Sequence, residues 1–348
     1  MYRKAIGMRA GALLLLFGLS LAYGCSRKDT VPEQGLWVTE ADRHPPVTNA
    51  AGRVVRYGPI ITPDMLPERY RRNLNSPWLI ETPEWATNRL GRYYLYFASH
   101  RRSHYIRMAY ADDVTGPWTI YEPGVFWREQ GPTPRAHVSA PSVIVDEERQ
   151  RFIMYFNSRE YPGQRFSRLF VATSSCGLAF EYAGGPLGWP YSAVMRHDDW
   201  FYVFMGASGQ VVHRSRDGVT DFEWGPRILP DRQGDTDPYS RHIGLQQVGD
   251  VLRVFFTQKR DAPERILMGT IDLTDDWQNW RVQNVEEVMR PVKWYEGAEL
   301  PVTPSQSGPT REPVHELRDP ALLESEGRTW LLYTIAGEEG IALAELLF

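Results

Sequence analysis

The chain has 348 residues, of which 42% are hydrophobic and 24% charged, a composition typical of soluble globular proteins. Its formal net charge of −4 excludes the strongly basic surface that nucleic-acid binding requires, so we expect no nucleic-acid partner. The 18 Tyr, 12 Trp, 29 Gly and 26 Pro favour an all-β protein, because aromatic residues suit strands and Gly and Pro suit turns.

Residues 1–24 predict an export signal. Arg3, Lys4 and Arg9 precede an apolar run over residues 11–21, which is too short to span a bilayer and fits a cleaved signal peptide. The segment ends in Ala-Tyr-Gly before Cys25 and resembles a bacterial lipobox. We therefore predict that Cys25 is acylated, which would make the protein a bacterial membrane lipoprotein facing the periplasm or the cell exterior. A plain signal peptide with an unmodified Cys25 is the alternative.

The remaining chain divides into a tether and a domain. Residues 25–50 are polar and contain Pro, as in a linker between membrane and domain. Residues 51–348 form the predicted domain. If Cys25 is acylated, Cys176 has no partner in the chain, and we expect it to be a small apolar filler without a disulfide.

Five segments of the domain repeat one pattern, in which an aromatic-rich strand is followed by a turn and a second strand. The five strands are predicted at residues 92–97, 151–156, 200–205, 251–256 and 329–333. They recur at intervals of roughly 50 to 60 residues, as in propeller blades, except for one wider gap that predicts an insertion over residues 278–316. We predict a five-bladed β-propeller of four-stranded blades. An N-terminal strand near residues 54–57 should complete the last blade, since an open sheet edge invites aggregation.

The repeat resembles the five-bladed propellers of glycoside hydrolase family 43 and its relatives, the arabinanases, xylosidases and invertases. The resemblance covers roughly residues 70–348. It is carried by Gly-Arg-Tyr-Tyr-Leu-Tyr-Phe at 91–97, by Ala-Tyr-Ala-Asp at 109–112 with Gly-Pro-Trp at 116–118, and by Leu-Arg-Asp-Pro at 317–320. It implies cleavage of glycosidic bonds by paired carboxylates.

The resemblance also implies where the carboxylates lie, namely at the starts of the innermost strands of blades one, two and three. Those starts are Asn-Ser-Pro at 75–77, Ala-Pro-Ser at 140–142 and Tyr-Ser-Ala at 191–193, and none contains an acid. The predicted catalytic carboxylates are therefore other residues: Asp319, Glu316 and Glu81, with Glu296 as a further candidate.

Inner-strand starts converge on the axis of a propeller, where they would form a funnel. The predicted substrate-binding residues there are His100, Arg101, His137, Ser142, Ser192, Arg241, His242 and Arg318. So many His and Arg side chains indicate an anionic ligand such as a uronic-acid or sulfated glycan, because Arg binds such groups in a bidentate fashion. Arg318 either lowers the pKa of Asp319 as its neighbour or forms with it a buried ion pair that clasps blade five.

Three functions follow from these residues. The first is a carbohydrate-active lipoprotein that hydrolyses a glycan with displaced carboxylates, and the second is a non-catalytic glycan-binding surface lipoprotein. The third is a structural propeller for protein contacts. Two free carboxylates about 5–10 Å apart across the funnel would favour hydrolysis. The sequence leaves open whether a divalent cation such as calcium binds at the axis, because no ligand spacing demands a metal. We expect a monomer.

Overall fold

The computed structural model describes residues 47–48, 53–71, 73–100, 104–206, 210–230 and 239–348. The predicted export signal, Cys25, most of the tether and Arg101 lie outside the described residues. No helix in the described ranges is long and apolar enough to cross a membrane.

The described strands form five sheets. The chain enters through β1 (Val47–Thr48) and β2 (Val54–Ile61), which belong to the last blade. Blade one contains β3 (Asn75–Glu81), β4 (Tyr93–Ala98), β5 (Tyr105–Ala111), β6 (Thr119–Ile120) and β7 (Phe126–Trp127). Blade two contains β8 (Ser139–Asp146), β9 (Arg151–Ser158), β10 (Arg168–Ser174) and β11 (Glu181–Gly188). Blade three contains β12 (Ser192–His197), β13 (Trp200–Met205), β14 (Val211–Ser215) and β15 (Glu223–Arg227).

Blade four contains β16 (Tyr239–Val248), β17 (Val251–Lys259), β18 (Ile266–Asp272) and β19 (Gln283–Met289). Blade five contains β20 (Arg318–Ser325), β21 (Arg328–Ile335) and β22 (Gly340–Leu346), followed outward by β2 and β1. Short 3₁₀ turns cover Pro63–Met65, Glu68–Tyr70, Arg128–Gln130, Trp277–Asn279 and Trp294–Glu296. The predicted five-bladed β-propeller is confirmed.

The ring closes where the N-terminal strand joins the last blade. β2 pairs antiparallel with β22, with Val54 opposite Leu346, so the backbone groups of the last strand find partners. The expected closing strand at residues 54–57 is confirmed and extends to Ile61. β1 also pairs with β2, so the end of the predicted tether is part of the sheet.

Apolar side chains fill the spaces between neighbouring blades, because successive residues of a strand point to opposite faces and both faces of each blade are covered. These side chains form clusters of buried apolar residues, and Trp78 on the innermost strand of blade one packs against four of the clusters. Its indole Nε1 donates to the Val143 carbonyl at 2.6 Å. Trp78 therefore occupies the middle of the propeller, at the base of the axial opening.

Two expectations need correction. The wide gap before blade five is not wholly an insertion, because β19 within it is the fourth strand of blade four; the connection proper covers residues 290–317. Cys176 is fully buried in the core beside blade two, as expected of an apolar filler. It is, however, disulfide-bonded, whereas the sequence predicted an unpaired sulfur.

Candidate functional site

The innermost strands of four blades begin with a bulge. The pairing register shifts between Asn75 and Trp78 in blade one, and equivalent shifts occur at the starts of β8, β16 and β20. In three of these strands a residue with positive φ precedes a proline: Ser76 (φ 50°), Ala140 (φ 49°) and Asp319 (φ 51°). A bulge turns a side chain away from its regular direction, and proline tolerates the disrupted ladder because it has no N–H. The bulges direct Ser76 and Asp319 towards the axis.

These strand starts surround a shallow depression at one end of the propeller axis, which opens to solvent and which we call the funnel. Its lining residues come from all five blades: Ser76, Pro77, Trp78, Ala140, Pro141, Tyr191, Ser192, His242, Ile243, Asp319 and Pro320. Of the predicted site residues, Ser192, His242 and Asp319 line the funnel. Ser142 lies directly behind, with its Oγ 2.6 Å from that of Ser192.

Asp319 is the one acidic residue among the funnel-lining residues in the described part of the chain. Its side chain is 2% exposed. One carboxylate oxygen pairs with Nδ1 of His242, and the other accepts the backbone N–H of Ser76 at 3.0 Å. Burial raises the pKa of Asp319, but the charge and hydrogen bond of His242 and the Ser76 N–H outweigh it and hold the pKa well below its usual value. Asp319 is therefore a carboxylate at neutral pH.

His242 is oriented by Asp319 and by a ring contact. Its side chain is 10% exposed, and its ring centroid lies 4.2 Å from that of Tyr191. Its Nε2 is buried without a hydrogen-bond partner. With Nδ1–H donated to Asp319, Nε2 is an acceptor when the imidazole is neutral and a donor when it is protonated. Burial raises the pKa of Tyr191 to about 12, so its hydroxyl is protonated at neutral pH.

Other polar atoms near the funnel also lack partners. These are Oγ of Ser76 and both side-chain polar atoms of Asn75, which is fully buried. Buried polar atoms are normally hydrogen-bonded, and each exception needs an explanation. Together with Nε2 of His242, they form a set of donors and acceptors at the axis suited to a hydroxyl-rich ligand.

Arg318 points away from the funnel, although it precedes Asp319 in the chain. Its guanidinium donates to Glu316 at 2.7 Å and lies within 3.5 Å of Glu264 and 3.4 Å of Glu338. No ion pair joins Arg318 to Asp319 in the described ranges. Both expectations for this dipeptide are therefore corrected: His242 and Ser76, not Arg318, lower the pKa of Asp319, and the clasp formed by Arg318 uses other carboxylates.

Arg241 completes this buried cluster of charges. It makes two hydrogen bonds to Glu264, of 2.7 and 3.1 Å, and a third to the Gln306 carbonyl. Arg241, Glu264 and Glu316 are each at most 4% exposed. We call the set of Arg241, Glu264, Glu316, Arg318 and Glu338 the ionic clasp. It joins blade four to blade five, and Glu338 extends it to His100 of blade one.

Three of the predicted catalytic carboxylates are bonded elsewhere in the propeller. Glu316 lies in the ionic clasp, where burial raises its pKa despite the opposing charge of Arg318. Glu81 lies at the far end of β3, with its side chain 42% exposed and bonded to Arg92 and Ser325. Glu296 is buried against Arg56 and Tyr333. None of the three lines the funnel.

Two predicted histidines lie beside the funnel and not in its lining. His100 pairs through Nδ1 with Glu338 at 2.7 Å, and its Nε2 is buried without a partner. His137 is 2.9 Å from Ser167 Oγ through Nε2. Burial, followed by the charges of Arg159 and His100, lowers the pKa of His137 to about 4, so His137 is neutral at neutral pH.

The sequence analysis did not select Ser76, Trp78 and Tyr191 as site residues. Ser76-Pro77 and Asp319-Pro320 share the same position in their blades, so the proline following the axial residue was the available signal. Tyr191 directly precedes Ser192 at the start of β12 and has a positive φ of 67°, which no sequence pattern indicates. No group of three or more His, Cys, Asp or Glu residues within the described ranges could hold a metal ion.

Comparison with known proteins gives one relative by sequence and many by fold. No protein-family model matches the chain. An uncharacterized protein of Acanthamoeba polyphaga mimivirus is 34% identical over 301 residues, which cover 79% of this chain and 83% of that protein. The chain belongs to the family of that viral protein. Because this relative is uncharacterized, membership assigns no activity.

Solved structures share the fold at low sequence identity. A putative glycosidase from Bacteroides thetaiotaomicron matches with a TM-score of 0.60 and 14% identity, covering 83% of this chain and 94% of that one. A GH43_1 enzyme from Xanthomonas citri, complexed with xylose, matches with a TM-score of 0.58 and 13% identity, covering 84% and 91%. A structure from the GH130 family of mannoside phosphorylases, which also contains glycoside hydrolases, matches with a TM-score of 0.60 and 13% identity, covering 92% of this chain and 96% of that one. The resemblance to glycosidase propellers is confirmed for the fold.

Proposed function

We propose that the protein is a carbohydrate-active propeller that binds a glycan in its funnel. The observation that carries the proposal is the pair of Asp319 and His242, held at the axis with Nε2 of His242 unpartnered. Ligand sites combine apolar walls with a few convergent polar groups, and Trp78, Tyr191 and the funnel prolines provide such walls. Solved neighbours of the same fold are described as glycosidases, which supports a sugar as the ligand.

The funnel favours glycan recognition over hydrolysis by two carboxylates. Such hydrolysis needs a second acid within about 5–10 Å of the first, free to donate a proton. Asp319 is the one acid in the described lining, whereas Glu264, Glu316 and Glu338 are bonded to arginine or histidine in the clasp. The lowered pKa of Asp319 also suits a hydrogen-bond acceptor and not a general acid.

Asp319 would act on the ligand through His242. By accepting the Nδ1–H, the carboxylate fixes the imidazole so that Nε2 faces the ligand and forms a hydrogen bond with a sugar hydroxyl. Ser76 Oγ, which lines the funnel and has no hydrogen-bond partner among the described residues, would bind a neighbouring hydroxyl. Leaving such buried groups unpaired costs free energy, so a ligand that satisfies them gains affinity from the site as it is built.

The test is a screen of purified protein against neutral and acidic glycans, in which calorimetry measures binding and chromatography measures released sugars. We expect binding without product release, and we expect Asp319→Asn to weaken binding at least about tenfold. Arg92→Met, which changes an exposed residue bonded to Glu81 and Glu326, is the matched control and should bind normally. Release of sugars that depends on Asp319 would show that the protein is an enzyme and not only a glycan-binding protein. The absence of any bound glycan would refute the proposal.

We also propose that the protein is exported. The charged and apolar pattern of residues 1–24 supports export, and so does the disulfide of Cys176, since disulfides persist in oxidising compartments. Acylation of Cys25 remains a prediction. The chain has two cysteines, so acylation of Cys25 and its pairing with Cys176 exclude each other. Mass spectrometry of the protein from fractionated bacterial cells decides: lipid mass on an N-terminal Cys25 supports the anchor, and an unlipidated disulfide-bonded chain contradicts it.

A further inference from the structure

Exposed aromatic side chains gather on the funnel face of blade two. The connection between β9 and β10, residues 159–167, carries Tyr161 (56% exposed) and Phe166 (60% exposed). Trp189 (51% exposed) follows β11, two residues before Tyr191 of the funnel. The end of β9 lies beside the start of β8, and the end of β11 beside the start of β10. All three aromatic residues therefore lie at the same end of the propeller as the funnel.

Arginines accompany these rings. The guanidinium of Arg165 lies 5.0 Å from the ring centroid of Phe166, and that of Arg168 lies 4.7 Å from that of Trp189. No ion pair to either arginine occurs within the described ranges, in contrast to Arg92 and Arg328, whose carboxylate partners are close. The nearby Nε of Arg159 is buried without a hydrogen-bond partner. This surface therefore carries three arginines against one exposed carboxylate in the same connection, Glu160.

Hydrogen bonds fix the connection between β9 and β10 to the segment that precedes β8. Ser167 Oγ lies 2.9 Å from Nε2 of His137, just before the innermost strand of the blade. Thr133 donates its hydroxyl to the Glu160 carbonyl at 2.8 Å, and the amide oxygen of Gln164 accepts the Glu160 N–H at 2.7 Å. A surface fixed in this way loses little conformational freedom when a ligand binds.

We propose that this surface is a subsite for an acidic residue of a glycan whose end lies in the funnel. We call it the aromatic shelf and define it as Tyr161, Phe166 and Trp189 with Arg159, Arg165 and Arg168. An aromatic face packs against the apolar face of a sugar ring, and a guanidinium binds a carboxylate or sulfate with two parallel hydrogen bonds. The proposal rests on glycan binding in the funnel and specifies the substrate class as an acidic oligosaccharide long enough to reach both places.

The first test compares acidic oligosaccharides with their neutral counterparts. Uronic-acid and sulfated oligosaccharides of two and six residues are titrated by calorimetry against the same sugars after carboxyl reduction or desulfation. We expect the acidic hexasaccharide that binds best to bind at least about tenfold more tightly than its neutral form. This difference should shrink as salt is raised. Equal binding of the acidic and neutral forms, or binding of neutral glycans alone, overturns the proposal.

The second test uses variants of the shelf. Arg165→Gln combined with Arg168→Gln should remove the preference for the acidic form while neutral binding is kept. Trp189→Ala should weaken the hexasaccharide about tenfold and leave the disaccharide unchanged. Trp224→Ala is the matched control, because Trp224 is 66% exposed on the outermost strand of blade three. Thermal melting checks that each variant folds.

The two proposals fail in different ways. Shelf variants that bind the acidic hexasaccharide like the wild type, while Asp319→Asn abolishes binding, refute the aromatic shelf and leave the funnel intact. If the wild-type protein binds no glycan of any kind, glycan binding in the funnel is refuted and the shelf proposal with it.

Discussion

The funnel and the ionic clasp lie side by side, yet they treat buried charge in opposite ways. In the clasp, Arg241 and Arg318 meet Glu264 and Glu316 at hydrogen-bond distance, so its charges are paired. In the funnel, Asp319 orients His242, whose Nε2 has no partner. Arg318 and Asp319 are adjacent in the chain, and the bulge at the start of β20 sends one to each region. Paired charges hold blades together, whereas on our proposal the unpaired polar atoms of the funnel bind a ligand.

Breaking the clasp should have the largest effect. Arg318→Met leaves the buried carboxylate of Glu316 without its cation and leaves Glu338 with His100 alone; breaking a buried ion pair typically costs about 3–5 kcal/mol. Chemical denaturation should show a fall of this size in the free energy of unfolding. Arg92→Met removes two ion pairs exposed to solvent and should lower the free energy of unfolding far less than Arg318→Met does. Equal losses in the two variants would mean that the clasp does not stabilise the fold as described.

Acid should destabilise the protein through histidines that are buried in neutral form. His137 and His213 have pKa values lowered to about 4 by burial, whereas the unfolded chain takes up protons near pH 6.5. The unfolded state therefore binds more protons between these values, and stability falls as the pH falls from about 6.5 to 4. The loss can reach roughly 3 kcal/mol for each histidine.

His137→Gln isolates one of these contributions. The variant should lose about half of the dependence on pH in that window, as measured by denaturation at several pH values. Because His137 holds the blade-two connection through Ser167 and lies outside the funnel lining, disaccharide binding should be retained. An unchanged pH profile would contradict a neutral, buried His137.

The smallest effect should come from the hydroxyl pair at the edge of the funnel. Ser192→Ala removes the hydrogen bond between Ser142 and Ser192, which joins blades two and three. The loss should be about 1 kcal/mol in the free energy of unfolding. Thermal and chemical denaturation measure this directly. If the free energy of glycan binding falls by more than the free energy of unfolding, Ser192 also binds the ligand.

The sequence predicted the blades well because strand patterns and their spacing are local properties. Phe97, Phe156 and Phe204 recur in β4, β9 and β13, and Val54 begins the strand that closes the ring. The site was harder to predict from the sequence, because a residue with positive φ changes the direction of its side chain without changing the hydrophobic pattern. The sequence therefore did not show that Asp319 faces the funnel whereas Arg318 faces the ionic clasp.

Two further errors have equally physical causes. Glu81 was a candidate acid and belongs to the same strand as Asn75, but strands rise about 3.3 Å per residue, so six residues separate it from the funnel end by roughly 20 Å. Glu264 and Glu338 were missed because they lie on connections between strands. Their partners are distant in sequence, and no local pattern identifies such contacts.

The central claim is that Asp319 serves the ligand whereas Arg318 serves the fold. Measuring glycan affinity and the free energy of unfolding for both Asp319→Asn and Arg318→Met tests it most directly. The asparagine keeps its contacts with Ser76 and His242 only if the imidazole changes tautomer, which changes the hydrogen-bonding role of Nε2. We predict that folded Asp319→Asn loses affinity at least about tenfold, and that folded Arg318→Met binds normally despite its large loss of stability. Normal binding by folded Asp319→Asn, or lost binding by folded Arg318→Met, would contradict the claim.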